Sequence, residues 1–594
     1  MKLSDYLAAF LAGSGVGHVF AIAGGASLHL IDSIARRDDL VLVCPQHEQG
    51  AAMAADAYSR QSCNLGVAIA TSGPGATNMV TGAACAYYDS IPVLYLTGQV
   101  STNRQKGETG VRQIGFQETD TVDIFRPITK FAARLEAPRE IRYLLEKCLH
   151  LARSGRPGPV LLDIPDDLQR AEIDPERLDG VPVPEPHDEF PEELQEAAAA
   201  ALSLLHDSQR PVLIIGAGVR LARGEALLAE LIRSTGIPFA PTWAAADLYP
   251  SEHPGYIGTF GTHGTRHANF AVQNADLILS IGSRLDTKAT GSPVSSFARG
   301  AVKIMVDIDP CELDKFPGFG LDLDLPVAAD ARDFLGALLA GLGERPWQSP
   351  PAWQAQIGTW RSRYPALPEP QPAGCIDPGT MVRALARQCR EGEIIVSDTG
   401  CTLAWLMQGF QFRAGQRLLH DWNNTAMGWA VPAAIGASLA AGGARVVCVS
   451  GDGSLMMGLS ELATVARYKI PVKLVLFNNN GYAMIRQTQD QWLQSRYFAS
   501  SCGGGLAQPD LMALAAAFGL PGFQINGADE AEEVLAAMFA LEGPAFCQVS
   551  IAEGARVAPQ VTFGRPNEDS EPLLPREQFL AEMMIPPLEA SLAP

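Results

Sequence analysis

The feature that most constrains the fold is a recurring unit. A short run rich in Val, Ile and Leu ends on Gly, Ser, Asp or Asn, and an Ala-rich helical pattern follows. LGVAIATSG and PVLYLTGQ are such runs near the N-terminus. PVLIIGAG, ADLILSIGS and VKIMVDIDP lie in the middle, and EIIVSDTG, RVVCVSGDG, PVKLVLFNN and PAFCQVSI lie towards the C-terminus. Runs without polar alternation are strands buried on both faces, and strands alternating with helices build parallel α/β sheets. Ligands of such sheets sit at the carboxyl ends of the strands, so the polar strand ends are where chemistry is expected.

A chain of 594 residues is too long for one hydrophobic core. Two polar, proline-rich stretches, Ile173 to Glu193 and Trp347 to Pro372, have the composition of linkers. The expected division is therefore 1–172, 194–345 and 374–555, with a tail at 556–594. With 45 basic and 65 acidic residues the formal charge is −20, and no basic run stands out. That argues against a sequence-independent grip on nucleic acid or on anionic lipid. An apolar fraction of 47% against 19% charged excludes global disorder. Eleven cysteines include no Cys-x-x-Cys pair, and Cys44, Cys85, Cys448 and Cys547 fall in apolar runs as small core residues. A cytoplasmic protein without structural zinc is expected. The first residues lack a signal-peptide pattern, and no apolar run approaches the ~20 residues of a membrane span.

The strongest chemical pattern lies in the third block. A strand over 445–450 runs into Gly451-Asp452-Gly453-Ser454 and a helical pattern. A second strand, over 472–477, ends in Asn478-Asn479-Asn480-Gly481. Glycine lets backbone approach a ligand closely, and the N–H groups of a helix N-terminus bind phosphate. Asp452 and the Asn479 amide oxygen are hard ligands suited to Mg²⁺ on a diphosphate. Alone, each half is an ordinary turn. Together, 27 positions apart, they match the pattern of thiamine-diphosphate enzymes. The resemblance implies that Asp452, Asn479 and the carbonyl of Gly481 hold the metal.

The first block carries His47-Glu48-Gln49-Gly50-Ala51-Ala52, then Thr71-Ser72-Gly73-Pro74-Gly75-Ala76-Thr77-Asn78. A lone Glu48 at the start of a helix is explained by the helix dipole. In the resembling family the glutamate of this motif faces N1′ of the cofactor's aminopyrimidine, and that role carries to Glu48. Pro74 and Asn78 then line the pyrimidine. Met427 occupies the position that wedges pyrimidine against thiazolium, although a methionine is ordinarily core filler. Gly400, Cys401 and Thr402 stand where the family contacts diphosphate oxygens, without its usual Gly-Gln-His. Tyr482 follows the metal-binding turn.

The middle block resembles the flavin-binding domain of acetolactate synthase catalytic chains, on GTFGTHGTRHANFAVQNADLILSIGSRLDTKATG and VDIDP. That implies FAD, met by Gly216 and Gly218, by Thr262, His263 and Gly264, and by Arg284, Asp286, Lys288, Asp307 and Asp330. Arg156 matches a flavin-contacting arginine. The bland reading of these charges is a solvated α/β surface. No electron acceptor is evident, so the flavin is expected to be structural.

The resemblance covers about residues 1–555, with departures at the expected acceptor end. The family's lysine is Asp166, its tryptophan is Thr488, and His29 replaces a proline. The loop Ser101–Gly115 before Phe116-Gln117-Glu118 is longer. A roomier, wetter pocket suits an acceptor that returns hydrogen bonds. These departures are similar to the branch found in branched-sugar and polysaccharide biosynthesis, the yersiniose-type ketosugar carboligases. The tail TFGRPNEDSEPLLPREQF either closes over the cofactor, as that branch implies, or is a proline-rich surface tail.

The expected activity is decarboxylation of pyruvate and transfer of the two-carbon acyl-anion unit to a carbonyl acceptor, a ketosugar nucleotide on this resemblance. The cofactor acts as the electron sink. Gln117 is a candidate donor to the developing alkoxide, and Phe116 packs near the acceptor. His29 is a candidate proton relay, with a satisfied buried histidine as the bland reading. The alternatives are acetolactate synthesis from two pyruvates, 2-keto acid decarboxylase or lyase chemistry, and a catalytically silent cofactor-binding scaffold. The family builds each site from two chains, so a homodimer or homotetramer is expected.

Overall fold

The expected strands form three sheets, each parallel throughout. The computed structural model describes residues 1–182, 191–366 and 376–592. The first sheet holds β1 (His18–Ala21), β2 (Val41–Val43), β3 (Gly66–Ala70), β4 (Val93–Gln99), β5 (Phe131–Arg134) and β6 (Val160–Pro165), in the order β2-β1-β3-β4-β6-β5. The second holds β7 (Pro211–Ile215), β8 (Phe239–Pro241), β9 (Leu277–Ile281), β10 (Val302–Asp307) and β11 (Leu325–Ala328), ordered β11-β10-β9-β7-β8. The third holds β12 (Ile394–Ser397), β13 (Arg417–Leu419), β14 (Val446–Gly451), β15 (Val472–Asn478), β16 (Gly522–Ile525) and β17 (Ala545–Ser550), ordered β13-β12-β14-β15-β17-β16. Helices flank every sheet, and the central strands are buried along their length, as parallel sheets require. No helix among the described residues is long and apolar enough to cross a membrane.

The first and third sheets share one continuous hydrophobic core. Its seam is the helix Glu48–Ser62 against the helix Ala430–Ala440, both rich in Ala and Gly. Small side chains let the backbones close in. A methyl group added at Gly436 would stand 2.0 Å from the Ala54 carbonyl oxygen. Trp429 ends the seam on one side. Its indole N–H donates to Asp56 at 3.0 Å, and the Arg60 guanidinium lies over its ring.

The second proline-rich stretch is not a linker along most of its length. Pro351–Arg363 is a helix whose Trp353, Ile357 and Trp360 fall on one face and are buried against the second sheet. The indole of Trp353 donates to the Pro211 carbonyl at 3.0 Å. The prolines mark where this helix starts, which suits their fixed φ. In the first stretch, Pro175–Arg177 is a single 3₁₀ turn, and Leu178 is buried. Residues 183–190 and 367–372 of the two stretches lie outside the described residues.

The C-terminal tail is a strap across the middle unit. Phe579 is fully buried beside Phe270, and Asn567, Glu568, Asp569 and Ser570 are buried with it. Glu568 pairs with Arg299 at 2.7 Å and accepts from Gln273. Glu582 accepts from the Trp360 indole at 2.7 Å and the Tyr364 hydroxyl at 2.9 Å, and pairs with Arg363. Cys85, Cys448 and Cys547 are buried as expected, but Cys44 is exposed at the end of β2, where the strand leaves the sheet. Replacing Glu582 by Ala strips partners from two buried donors. It is expected to cost about 3 kcal/mol, read as a lower melting temperature and faster proteolysis of the tail.

Candidate active site

β14 and β15 are direct neighbours, with Gly451 opposite Phe477, so their two polar ends meet. Asp452 is the first residue of the helix Asp452–Gly458. Its Oδ2 accepts from the Gly481 N–H at 2.7 Å and from the Gln508 amide. Burial pushes the Asp452 carboxyl up, against the pull of these two donors. Asn479 is buried, and Arg486 donates to its backbone carbonyl at 2.9 Å and to its amide oxygen at 3.4 Å. Gly481 has φ 144°, and a Cβ there would stand 2.4 Å from the Ser500 carbonyl oxygen. The Tyr482 ring lies against Gly453, where a Cβ would meet it at 2.2 Å, and the Met427 methyl is 3.5 Å from the same point. Asp452, Gly453, Asn479, Gly481, Tyr482 and Met427 thus form one cluster. Ser454 is buried in the same helical turn.

One carboxylate, one amide oxygen and one backbone carbonyl are an oxygen donor set that fits Mg²⁺. Among the described residues no group of three or more His, Cys, Asp or Glu side chains that could hold a metal ion is present, so this set rests on an amide and a carbonyl beside its one carboxylate. On the opposite side of β14, Gly400 (φ 97°) caps the helix Cys401–Gly409, and nothing stands within 4 Å of where its Cβ would be. Cys401 and Thr402 are buried in the first turn of that helix. This open backbone at a helix start is shaped for a diphosphate.

Asp398 organises these ends, and no motif marks it. Fully buried at the tip of β12, it accepts from Thr399 N at 3.1 Å, Gly428 N at 3.1 Å, Ala430 N at 3.4 Å and Ser450 Oγ at 3.2 Å. It therefore ties together the segments that carry Gly400, Met427 and Asp452. Burial pushes it up to about 6 in spite of those bonds.

In the first unit, Glu48 is the first residue of its helix and half-buried. The Asn78 amide donates to its carboxylate at 2.9 Å, and Gly75 lies close enough that a Cβ would be 3.4 Å from Oε1. Pro74 starts the short helix Pro74–Asn78. Gln117 (φ 64°) rests on Gly73 (φ 63°), where a Cβ would meet the Gln117 carbonyl at 3.0 Å. Glu118 staples the preceding loop through N–H groups of Lys106, Ile114 and Gly115. Burial pushes Glu118 up, but those three donors hold it below its ordinary value.

Other acceptor-end candidates are placed differently from expectation. Phe116 is 86% exposed. His29 is partly exposed in the first turn of the helix Leu28–Ala35, and its ring has no hydrogen bond among the described residues, so it is not a satisfied core histidine. Asp166 accepts from Ser101, and Asp167 accepts from Thr102 N at 3.0 Å, so both hold the long loop. The Thr488 hydroxyl donates to the Met484 carbonyl of its own helix at 3.1 Å.

The flavin candidates line a cavity of about 520 Å³ between the three units. Gly218, Thr262, His263, Arg284, Asp286 and Lys288 all face it. So do Asp307, Asp330, Arg156 and Gly400. Gly216 and Gly264 do not. A Cβ at Gly216 would stand 2.0 Å from the Gly282 carbonyl, and one at Gly264 would stand 2.4 Å from Phe260 backbone, so both serve close chain packing. Asp286 and Asp330 cap helices through backbone N–H groups. Burial pushes Asp307 and Asp330 up. Arg156 bridges units, pairing with Asp309 at 3.0 Å and with Glu312 at 2.8 Å; Glu312 went unnoticed in the sequence. His263 Nε2 is buried without a hydrogen-bond partner, and Arg284 Nε has only the Glu312 carboxylate, at 3.3 Å, beside it among the described residues. An unpaired polar atom on a cavity of this volume fits a polar, dinucleotide-sized ligand.

Comparison with known proteins follows the same division. Residues 1–124 match the thiamine pyrophosphate enzyme N-terminal TPP binding domain, 198–338 the central domain and 398–549 the C-terminal TPP binding domain. The chain belongs to the thiamine pyrophosphate enzymes. It is 35% identical over 572 residues to acetolactate synthase isozyme 2 large subunit of Escherichia coli (strain K12), covering 96% of this chain and 99% of that one. It is 34% identical over 563 residues to the acetolactate synthase large subunit of Pyropia yezoensis, covering 93% and 92%. A probable acetolactate synthase large subunit of Methanocaldococcus jannaschii is 34% identical over 554 residues, covering 90% and 89%. The protein is thus a thiamine-diphosphate-dependent enzyme with acetolactate synthase relatives.

Two outcomes are expected of this site. Asp452→Ala removes the only carboxylate of the metal cluster, so calorimetry should show thiamine diphosphate with Mg²⁺ binding at least about 100-fold more weakly, with circular dichroism unchanged. Burial, reinforced by Lys288, pushes His263 down from 6.5 to about 3. The folded state then keeps it neutral while the unfolded chain takes up a proton below pH 6.5. Its contribution to stability is whole above that pH and is lost as pH falls, by at most about 2 kcal/mol at pH 5. His263→Gln should flatten the decline in melting temperature between pH 7 and pH 5.

Proposed function

We propose that this enzyme decarboxylates pyruvate and joins the two-carbon unit to a second carbonyl compound. The reading is carried by Glu48, poised on Asn78, together with the Asp452–Gly481 cluster at the neighbouring ends of β14 and β15. Thiamine diphosphate, when bound, supplies the electron sink for the carbon that loses CO₂. Asp452, Asn479 and the Gly481 carbonyl would hold Mg²⁺, and Gly400, Cys401 and Thr402 would meet the diphosphate. Glu48 would hold the aminopyrimidine through a carboxyl hydrogen bond, with Pro74, Asn78 and Met427 around it. Gln117 donates to the oxygen that gains charge, and Phe116 and His29 belong to the acceptor side. FAD is the proposed ligand of the 520 Å³ cavity. Domain limits of 1–172, 194–345 and 374–555 with a tail are part of the same reading.

The site is proposed to need two chains. Trp429, two residues after Met427, sits at Asp56 and Arg60 in the second half of the helix that Glu48 begins. Eight residues of helix, about 12 Å, separate Glu48 from Asp56. No hydrogen bond joins Glu48 to the third unit of its own chain among the described residues. A homodimer, or a tetramer of two such pairs, brings Glu48 of one chain to Asp452 of the other.

For the acceptor we propose a ketosugar nucleotide. Support comes from Asp166 and Thr488, whose polar groups are tied to Ser101 and to Met484, so neither a lysine nor an indole fills the acceptor end. Acetolactate formation from two pyruvates is the second reading, favoured by the relatives' printed names. Incubating the enzyme with pyruvate alone, and with a panel of ketosugar nucleotides, separates the two by product mass. Acetolactate as the main product in both would overturn the sugar acceptor. Glu48→Gln is expected to keep thiamine diphosphate bound and to lower turnover at least about 100-fold; unchanged turnover would remove Glu48 from its role.

A further inference from the structure

A second cavity, of about 610 Å³, lies where the three units meet and adjoins the first. Five arginines line it: Arg60 and Arg153 from the first unit, Arg220 and Arg223 from the second, and Arg417 from the third. The chain as a whole carries −20, so this concentration of guanidinium runs against the protein's own charge.

The counter-charges are unevenly shared. Arg60 is neutralised by Asp56 at 3.0 Å and Asp89 at 2.7 Å. Arg220 pairs with Asp247 at 2.9 Å, and more loosely with Glu225 at 3.8 Å, which is half in solvent. Among the described residues Arg417 has only the same Asp247 as counter-charge, 3.7 Å away; it donates to the Arg60 carbonyl at 2.9 Å, and its Nε is buried without a hydrogen bond. Burial, and then Arg220, push Arg417 down. Arg153 donates to Asn64 and Arg223 to the Cys63 carbonyl at 3.2 Å. Neither has a carboxylate within ion-pair distance among the described residues. Burial, and then Arg223, push Arg153 down. The cavity is short of negative charge in its own residues.

The lining also holds Ile91, Leu221, Leu418, Leu419 and one aromatic ring, Trp422. Trp422 lines the cavity, and a T-shaped contact with His420 at 5.1 Å fixes its ring. Guanidinium forks match phosphate oxygens, and an indole accepts a flat ring. The volume is that of a nucleotide-sized ligand.

We propose that this junction, which shares Arg153 and Trp422 with the first cavity, binds a phosphorylated small molecule with an aromatic ring, of nucleoside monophosphate size, beside the ligand of that first cavity and not in its place. The phosphate lies among Arg153, Arg223 and Arg417, and the ring lies against Trp422. Such a ligand touches all three units, so its binding favours the arrangement in which they are docked.

The test uses full-length protein saturated with thiamine diphosphate, Mg²⁺ and FAD, titrated with AMP by calorimetry, with inorganic phosphate as competitor. The expected result is one AMP per chain, displaced by phosphate, with FAD retained. Arg223→Glu, on the exposed rim of this cavity alone, is expected to weaken AMP at least tenfold and to leave FAD affinity and melting temperature unchanged. Three results would overturn the proposal: no AMP binding, equal affinity in Arg223→Glu, or release of FAD as AMP binds. The last would make the arginines part of the flavin's own site.

Discussion

Where the Gly436 backbone meets the Ala54 carbonyl, two helices approach so closely that no side chain fits between them. This seam joins the first and third sheets into one core and fixes where the functional ends point. The helix Glu48–Ser62 presents Glu48 at its start, and its far half holds Trp429 through Asp56 and Arg60. Asp56 is fully buried, and burial raises it despite the adjoining guanidinium. A buried pair of this kind adds little net stability, but removing one partner strands the other, so the pair enforces one alignment of the seam.

Buried carboxylates repeat that task nearer the chemistry. Asp398 gathers three strand and loop ends, and Asp421 accepts from the Ala426 N–H at 2.8 Å and from the Cys85 thiol at 3.0 Å. Glu461 accepts from the backbone N–H groups of Gln46 at 3.0 Å and His47 at 3.1 Å, just before Glu48. Asp398 and Glu461 each satisfy several backbone donors that a close-packed turn leaves unpaired, and Asp421 satisfies one backbone donor and a thiol. The tail adds an outer tie. Gln487 of the helix Ala483–Leu493 exchanges two 2.9 Å bonds with Val557, and Val561 N donates to Thr262 at 2.8 Å, so one strand of chain touches both the metal-side helix and the flavin-type cavity.

Much of this was legible in the sequence because it rests on local pattern. β3, β4, β7, β9, β10, β12, β14, β15 and β17 are continuous aliphatic runs, and burial on both faces writes exactly that composition into a chain. Edge strands such as β5, β11 and β16 are partly exposed and carry a mixed composition, so their pattern is weak. The helix Pro351–Arg363 was hidden because its prolines and polar residues outweighed three well-spaced apolar ones. Asp452 and Asn479 stand out through motif spacing, and Glu48 only through the family resemblance. Asp398, Glu312 and Glu461 do not, because their partners are backbone N–H groups or side chains far away in sequence. The misplacement of Gly216 and Gly264 has a related cause: glycine serves a ligand and a neighbouring chain segment equally well, and only the three-dimensional neighbour decides.

The separation of Glu48 from Met427 along the seam has a genetic consequence. If sites form between chains, a subunit lacking its glutamate and another lacking its metal carboxylate are each inert in a pure pair. Co-expressed, they assemble some mixed pairs in which one site inherits both lesions and the other inherits neither. Two null alleles of this gene then complement each other inside a single heterozygous cell, whereas lesions in the same unit do not.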